Sequence, residues 1–158
     1  MNWVRVRFEK LNEHAITPTQ ATEGSAGFDL YAVDNVVIGP GETVVIDTGL
    51  KFEIPDGHLM YISSKSGLAR HHGLLVLNSP ALIDSDYRGE VSVILHKVND
   101  VTIPDVSNIG RSGQSYYIEK GDKIAQFVIL PYPKVALLEG KVDVNTKRGE
   151  GGFGSTGR

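Results

Sequence analysis

Two carboxylates that could take part in catalysis stand in the segment Asn78–Glu90, whose sequence is NSPALIDSDYRGE. Asp84 and Asp86 flank a single serine, and on an extended chain both side chains would face one side. One of them could act as a general base or as a metal ligand. A polar turn before the strand expected near Glu90 explains the same residues, so this pattern alone leaves both interpretations open.

Two other segments combine polar groups that could bind a phosphate. Ser63–Ala69 (SSKSGLA) offers hydroxyls, a cation and a glycine at a strand end, although a serine turn before a short helix is the more common meaning. In Gly121–Gln126 (GDKIAQ), Asp122 is typical of a turn. Gln126 is polar within an apolar strand and therefore needs a hydrogen-bond partner.

Asp29 is an acidic residue inside an otherwise apolar run, AGFDLYA, at Ala26–Ala32. A buried carboxylate needs a partner, so the sequence predicts that Asp29 caps a turn or pairs with an arginine. His71 and His72 are adjacent and do not face one another on a helix. A metal site is not expected at this pair.

The last eleven residues, Arg148–Arg158, read RGEGGFGSTGR and contain five glycines. The string G-x-G-x-x-G occurs here, but no helix or βαβ unit follows it, which excludes a dinucleotide fingerprint. Successive glycines can point backbone N–H groups at an anion. Ser155 and Thr156 add hydroxyl donors, Arg148 adds a planar guanidinium, and Phe153 could close over a flat ligand. The alternative is an unstructured tail, since this composition cannot pack a core and is expected to be mobile.

The elements that position these segments are predicted to be short β-strands. Apolar residues mostly recur with period two, and glycine, proline and aspartate separate the runs at intervals of roughly 8–12 residues, which favours a sandwich, jelly roll or barrel. The strand candidates are Val4–Phe8, Thr43–Ile46, Leu59–Ile62, Val91–Leu95 and Phe127–Leu130. One short helix is predicted over Ser66–His72. The absence of βαβ alternation argues against a parallel doubly wound sheet.

Composition excludes several classes of protein. The chain of 158 residues fits one domain, predicted here as a β domain over 1–147 followed by a mobile lid over 148–158. A net charge of −3 is unlike that of a nucleic-acid binder. The chain has no cysteine, which excludes disulfides, thiolate metal sites and cysteine nucleophiles.

The sequence also indicates where the protein works. Its start, MNWVRVRFEK, lacks the apolar region of a secretory signal, and its apolar runs are too short to cross a membrane. A cytoplasmic protein is therefore expected. The polar segment Asn99–Ser115 reads as a long hairpin connection or an excursion between two strands, and it is either functional or a tolerated insertion.

Taken together and in order, the five segments resemble the five motifs of the homotrimeric dUTPase family, from Ala26 to Gly157. AGFDLYA, ALIDSDYRGE and RGEGGFGSTG are the most specific. The resemblance implies an all-β, jelly-roll-like subunit and a homotrimer with shared active sites. It implies hydrolysis of dUTP to dUMP and pyrophosphate, which keeps uracil out of DNA and supplies dUMP for thymidylate synthesis. Mg²⁺ would be held mainly by the substrate phosphates and waters.

The resemblance also implies roles for single residues. Asp84 matches the general base that activates the water attacking the α-phosphorus. Tyr87 matches the ring packed under the deoxyribose, where a 2′-hydroxyl would not fit. Asn78 matches the residue that reads uracil, with the backbone of Leu82 and Ile83, in a hairpin too tight for a 5-methyl group.

Further residues match the binding of the phosphates and the closing of the tail. Arg148, Ser155 and Thr156 match groups at the γ-phosphate end, and Phe153 matches a ring that stacks on uracil. Asp29 matches an acid in the metal-water or intersubunit network. The remaining substrate-binding positions implied are Lys65, Ser66, Gly67, Ser92, Gln126 and Gly154.

The chain departs from the family pattern at three positions. Lys65 and Lys123 stand where arginine is usual, and Ala81 stands where glycine is usual. Two other hypotheses stay open. One is a dCTP deaminase of the same superfamily, against which the tail and the IDSDYRG segment argue. The other is a regulatory protein that binds a partner through Asn99–Ser115, which need not exclude hydrolysis.

Overall fold

The computed structural model describes residues 3–99 and 114–152. In this part of the chain, eleven antiparallel strands and one helix follow one another. The strands are β1 (Arg7–Lys10), β2 (Phe28–Tyr31), β3 (Val36–Ile38), β4 (Thr43–Asp47), β5 (Leu50–Glu53), β6 (His58–Ser63), β7 (Leu74–Val76), β8 (Ala81–Ile83), β9 (Ser92–Lys97), β10 (Tyr116–Ile118) and β11 (Lys123–Pro131). The helix, α1, spans Ser66–His72. The prediction of a mostly β fold with one short helix is confirmed.

Strands far apart in the sequence pair with one another. The largest sheet has the order β2-β11-β6-β8, and a second sheet has the order β4-β9-β7. Two smaller pairs are β1 with β5 and β3 with β10. The period-two patterns place alternate residues in the core between these sheets, as Met60 and Ile62 on β6 and Val93 and Leu95 on β9 show. Each such burial stabilises the fold by roughly 1.5–3 kcal/mol.

Helix α1 matches its prediction residue for residue. It ends at Gly73, which has a φ of 61° and so takes the left-handed conformation that glycine adopts without a steric penalty. The Gly73 N–H donates to the Ala69 carbonyl over 3.1 Å. Basic residues fill the last turn, where they interact favourably with the helix dipole.

Two sequence predictions about the strands need correction. The first strand begins at Arg7 rather than Val4, and Val4 and Phe8 are about half exposed because β1 pairs only with β5 in the described chain. The segment Asn99–Ser115 does not connect a hairpin, because β9 and β10 lie in different sheets. It is an excursion between two strands, and positions 100–113 lie outside the described residues.

Within the described residues, α1 is the only helix, and at seven residues it is far too short to cross a lipid bilayer.

Candidate active site

Five of the residues predicted to act on a substrate line one open cleft of about 330 Å³, which we call the Tyr87 cleft. The predicted residues in it are Leu82, Ile83, Asp84, Tyr87 and Ser92. The sequence analysis did not single out its other lining residues, which are Val45, Glu90, Val91 and Ile94. Two of these, Val45 and Ile94, are directly paired across β4 and β9. The cleft therefore has an apolar floor, with one carboxylate and one phenol at its edge.

Asp84 enters the cleft because the chain turns sharply where β8 ends. The Tyr87 N–H donates to the Asp84 carbonyl over 3.2 Å, which closes a turn over Ser85 and Asp86. The chain is therefore not extended here, and the expectation that Asp84 and Asp86 face one side of a strand is wrong. Of these two carboxylates, only that of Asp84 lines the cleft, where it is exposed to solvent.

A close approach to Gly89 fixes the ring of Tyr87. The Tyr87 hydroxyl donates to the Glu90 carbonyl over 2.9 Å. A Cβ atom on Gly89 would lie 2.3 Å from this hydroxyl oxygen, so only glycine allows the ring to take this position. Sequence reasoning missed the role of Gly89, although the YRGE string places a glycine two residues after the ring.

Ser92 and Asn78 have different places relative to the cleft. The Ser92 hydroxyl, on its wall, donates to Asp47 Oδ1 over 2.6 Å. Asn78 is exposed in the turn that joins β7 to β8, and it does not line the cleft. The structure thus brings the predicted base and sugar-binding ring together, but leaves the predicted uracil-reading side chain outside.

A second polar group forms around Asp29, which we call the Asp29 cluster (Asp29, Lys65, Lys123 and Gln126). Gln126 on β11 is paired with Asp29 on one side and with Ser63 of β6 on the other. The sheet therefore joins three of the motifs at the Ser63 end of β6. Asp29 is only 5% exposed.

Two lysines neutralise the Asp29 carboxylate. Lys65 Nζ donates to Oδ1, and Lys123 Nζ lies 2.7 Å from Oδ2 as an ion pair rather than a well-directed hydrogen bond. Burial alone would raise the pKa of Asp29, but the hydrogen bonds and charges of Lys123 and Lys65 outweigh it and lower this pKa below its ordinary value. Hydrogen bonding to Asp29 raises the pKa of Lys123. The prediction that Asp29 needs a partner is confirmed, but the partners are lysines and not an arginine.

Gln126 and the start of α1 complete this cluster. The Gln126 side chain donates to the Ser64 carbonyl at a long 3.4 Å, which identifies the partner that the sequence required. The Ser64 hydroxyl accepts a hydrogen bond from the Val76 N–H over 2.8 Å and so anchors the turn before α1. Ser66 and Gly67 are exposed there, and a Cβ on Gly67 would meet nothing within 4 Å. This open space is available to a ligand.

The tail is described only as far as Gly152. Arg148 Nε donates to the Gly151 carbonyl over 2.8 Å, so the guanidinium is held by its own turn. The other predicted tail residues lie outside the described residues; they are Phe153, Gly154, Ser155 and Thr156.

Comparison with known proteins decides the family. A family model described as dUTPase matches residues 13–157. This chain belongs to the dUTPase family. Among curated dUTPases, that of Nautilia profundicola is 43% identical over 155 residues, covering 98% of this chain and 100% of the relative. That of Hydrogenobaculum sp. is 45% identical over 155 residues, covering 98% and 99%.

Solved dUTPase structures show the same fold. The dUTPase of Staphylococcus bacteriophage 80alpha, solved with dUPNHPP, has a TM-score of 0.79 and 28% identity, covering 98% of this chain and 99% of that one. Its description states that phage dUTPases control transfer of virulence genes. The dUTPase of S. aureus phage phi11, described with a structural Mg(II) ion, has a TM-score of 0.74 and 27% identity, covering 87% and 97%. The predicted family, jelly-roll fold and enzyme class, a dUTP diphosphatase, are confirmed.

One structural feature bears directly on how this dUTPase builds its site. Ile83 is paired with Met60, whereas Gln126 is paired with Ser63. Asp84 follows Ile83 and so lies toward the opposite end of β6 from the Asp29 cluster, more than about 10 Å away at roughly 3.3 Å per residue. Within one chain, the predicted base and the lysine-rich cluster therefore do not face each other.

Proposed function

We propose that this dUTPase hydrolyses dUTP to dUMP and pyrophosphate at a site where the Tyr87 cleft of one subunit meets the Asp29 cluster of another. The placement of Asp84 and Tyr87 in one cleft is the observation that supports this most strongly. Phosphoryl transfer of this kind depends on positioning and on neutralising charge more than on covalent chemistry. The two groups of residues supply these separately.

Asp84 acts as the general base in this proposal. Its carboxylate is exposed at the edge of the cleft and can accept a proton from a water molecule. That water attacks the α-phosphorus as the bond from this phosphorus to the bridging oxygen breaks, and pyrophosphate leaves. Arg148, Ser155 and Thr156 neutralise the γ-phosphate end, Phe153 stacks on the uracil ring, and the tail closes over both.

Specificity for deoxyuridine comes from the walls of the cleft. The Tyr87 ring is held by its hydrogen bond to Glu90 and leaves no room for a 2′-hydroxyl. In the described sheet β8 is an edge strand, and an edge strand has backbone N–H and C=O groups free to pair. We propose that those of Leu82 and Ile83 bind the uracil together with Asn78, in a hairpin that excludes a 5-methyl group.

Magnesium fits this donor set as a partner of the substrate. Among the described residues, no group of three or more His, Cys, Asp or Glu side chains could hold a metal ion. Mg²⁺ commonly keeps several waters and binds through substrate phosphates. When bound with dUTP it would neutralise phosphate charge. Lys65, Lys123 and Gln126 would bind the remaining phosphate oxygens, with Ser66 and Gly67 beside them.

A homotrimer with shared sites explains two features of the single chain. The first is the separation of Asp84 from the Asp29 cluster along β6. The second is the segment 132–150, which is exposed throughout although it contains large apolar side chains, Leu137 and Leu138 being at least 90% exposed. Such a segment gains stability when it packs on a neighbouring subunit, and it leads directly to the tail.

The activity and its specificity can be tested together by measuring pyrophosphate release with Mg²⁺ from dUTP, dTTP, dCTP and UTP. We expect turnover of dUTP alone, since Tyr87 excludes ribose and the hairpin at Leu82 excludes the methyl group. Hydrolysis of several nucleotides would contradict the assigned specificity. Release of ammonia from dCTP would instead support a deaminase.

The open space at Gly67 gives a second test. Gly67→Ala is expected to stabilise the free protein by about 0.5–1 kcal/mol, because alanine restricts the unfolded chain and meets nothing within 4 Å. The same methyl group would fill space that the phosphates need, so KM for dUTP should rise severalfold. Thermal unfolding and steady-state kinetics measure the two effects.

Gly24→Ala is the matched control, since Gly24 is also exposed and surrounded by open space. It should alter stability to a similar degree and leave KM unchanged. If Gly67→Ala also leaves KM unchanged, no phosphate approaches this position.

Three further statements stay predictions of the sequence. The tail 148–158 is proposed as the mobile lid of this enzyme, and the cytoplasm as its location. A protein partner through Asn99–Ser115 is a second proposal, supported by the likeness to the phage 80alpha dUTPase. Binding to nucleic acid or to a membrane is not expected.

A further inference from the structure

Asp29 lies at the centre of two positive charges that remain accessible. The Asp29 side chain is 7% exposed, whereas those of Lys65 and Lys123 are 23% and 44% exposed. The carboxylate is thus enclosed, and the ammonium groups on its two oxygens are partly open to solvent. An anion can reach the lysines but not the aspartate.

The two lysines are also the two positions where this chain departs from the arginine usual in its family. Both departures meet at the same carboxylate. An ammonium group has three N–H donors on a compact point charge. When each lysine directs one N–H to Asp29, two donors per lysine remain for oxygens of a ligand.

We propose that Asp29 is a positioning residue that holds Lys65 and Lys123 together as one clamp for the phosphate chain of the substrate. This inference rests on the proposed function. Two ammonium groups this close would repel each other if the carboxylate between them were absent. Since both Asp29 oxygens are engaged by lysines and enclosed, Asp29 does not hold a metal-bound water.

The first test is binding of inorganic triphosphate to Asp29→Asn, measured by calorimetry so that it does not depend on turnover. We expect binding to weaken about tenfold, as loss of one hydrogen bond to a charged group would cause, even though the cluster becomes more positive. Asp34→Asn, which changes an exposed carboxylate, is the control and should bind as the wild type does. Unchanged or tighter binding by Asp29→Asn would overturn the proposal.

A charge-matched variant keeps the test valid if Asp29→Asn folds poorly. Asp29→Asn/Lys65→Met removes one charge of each sign and leaves the net charge of the cluster as it was. A clamp needs both lysines, so triphosphate binding should again weaken about tenfold. Binding equal to that of the wild type would mean that only net charge matters. Deoxyuridine, which has no phosphate, should bind all variants equally; a loss there would indicate general damage and contradict a positioning role.

Magnesium distinguishes the clamp from a metal-binding role. The Mg²⁺ concentration that gives half-maximal dUTP hydrolysis should be the same for the wild type and Asp29→Asn, while KM for dUTP rises. A higher Mg²⁺ requirement would assign Asp29 to the metal and overturn the proposal. Should the wild type bind triphosphate but hydrolyse no dUTP, the proposed function fails and the calorimetric result on the clamp still stands.

Discussion

Asp84→Asn is expected to lower kcat for dUTP by about 10²–10⁴-fold, the usual contribution of a general base. Asparagine has the shape of aspartate but cannot accept the proton of the attacking water. The hydrogen bond that closes the turn uses the Asp84 backbone carbonyl, so the turn should be preserved. The dissociation constant of a non-hydrolysable dUTP analogue should therefore stay within a few-fold of the wild-type value.

The matched control for this prediction is Asp86→Asn. Asp86 lies two residues further along the same turn, is also exposed and does not line the cleft. Its substitution should leave kcat near the wild-type value, which single-turnover measurements of pyrophosphate formation can compare directly. A loss of analogue binding in parallel with kcat for Asp84→Asn would show that the carboxylate binds substrate and is not the base.

Local sequence signals predicted the short elements well. The helix over Ser66–His72 follows from residues within a few positions of each other, and it ends at Gly73 where glycine takes the left-handed conformation. The need of Asp29 for a partner follows from the apolar residues on both sides of it. Both are properties of a short window of sequence.

Properties that depend on pairing between distant strands could not be predicted in this way. Gln126 lies between Asp29 and Ser63 only because β11 pairs with both β2 and β6. Nothing in the sequence near Asp29 identifies Lys123 as its partner. The predicted arginine was wrong because a buried carboxylate requires a cation without specifying which one, and two lysines satisfy it from both sides.

The turn after β8 shows a different limit. Strand periodicity places Asp84 and Asp86 on one face, but the chain turns at Ser85. Gly89 allows the Tyr87 ring to lie against the backbone. The family resemblance gave Tyr87 its predicted role, and the contact with Gly89 gives the physical reason for its position, which periodicity could not supply.

Removal of residues 148–158 is expected to lower kcat/KM for dUTP by about 10²-fold or more, comparable to the loss of preorganised donors to developing charge. The deleted segment contains the guanidinium, both hydroxyls and the ring assigned to the substrate. The strands all lie before it, so the truncated chain should keep its fold and its assembly. Near-wild-type activity of the truncated protein would refute the lid.

Mixing this truncation with Asp84→Asn tests whether the sites are shared. Segment 132–150 is exposed along its whole length, so we infer that the tail leaves its own subunit and reaches a site whose base belongs to another. Trimers that contain both defective chains would then have some sites with an intact base and an intact tail. Co-expression with two affinity tags isolates such trimers, and their activity should be far above that of either parent. If base and tail came from the same chain, every site would lack one of them, and the mixed trimers would be as inactive as the parents.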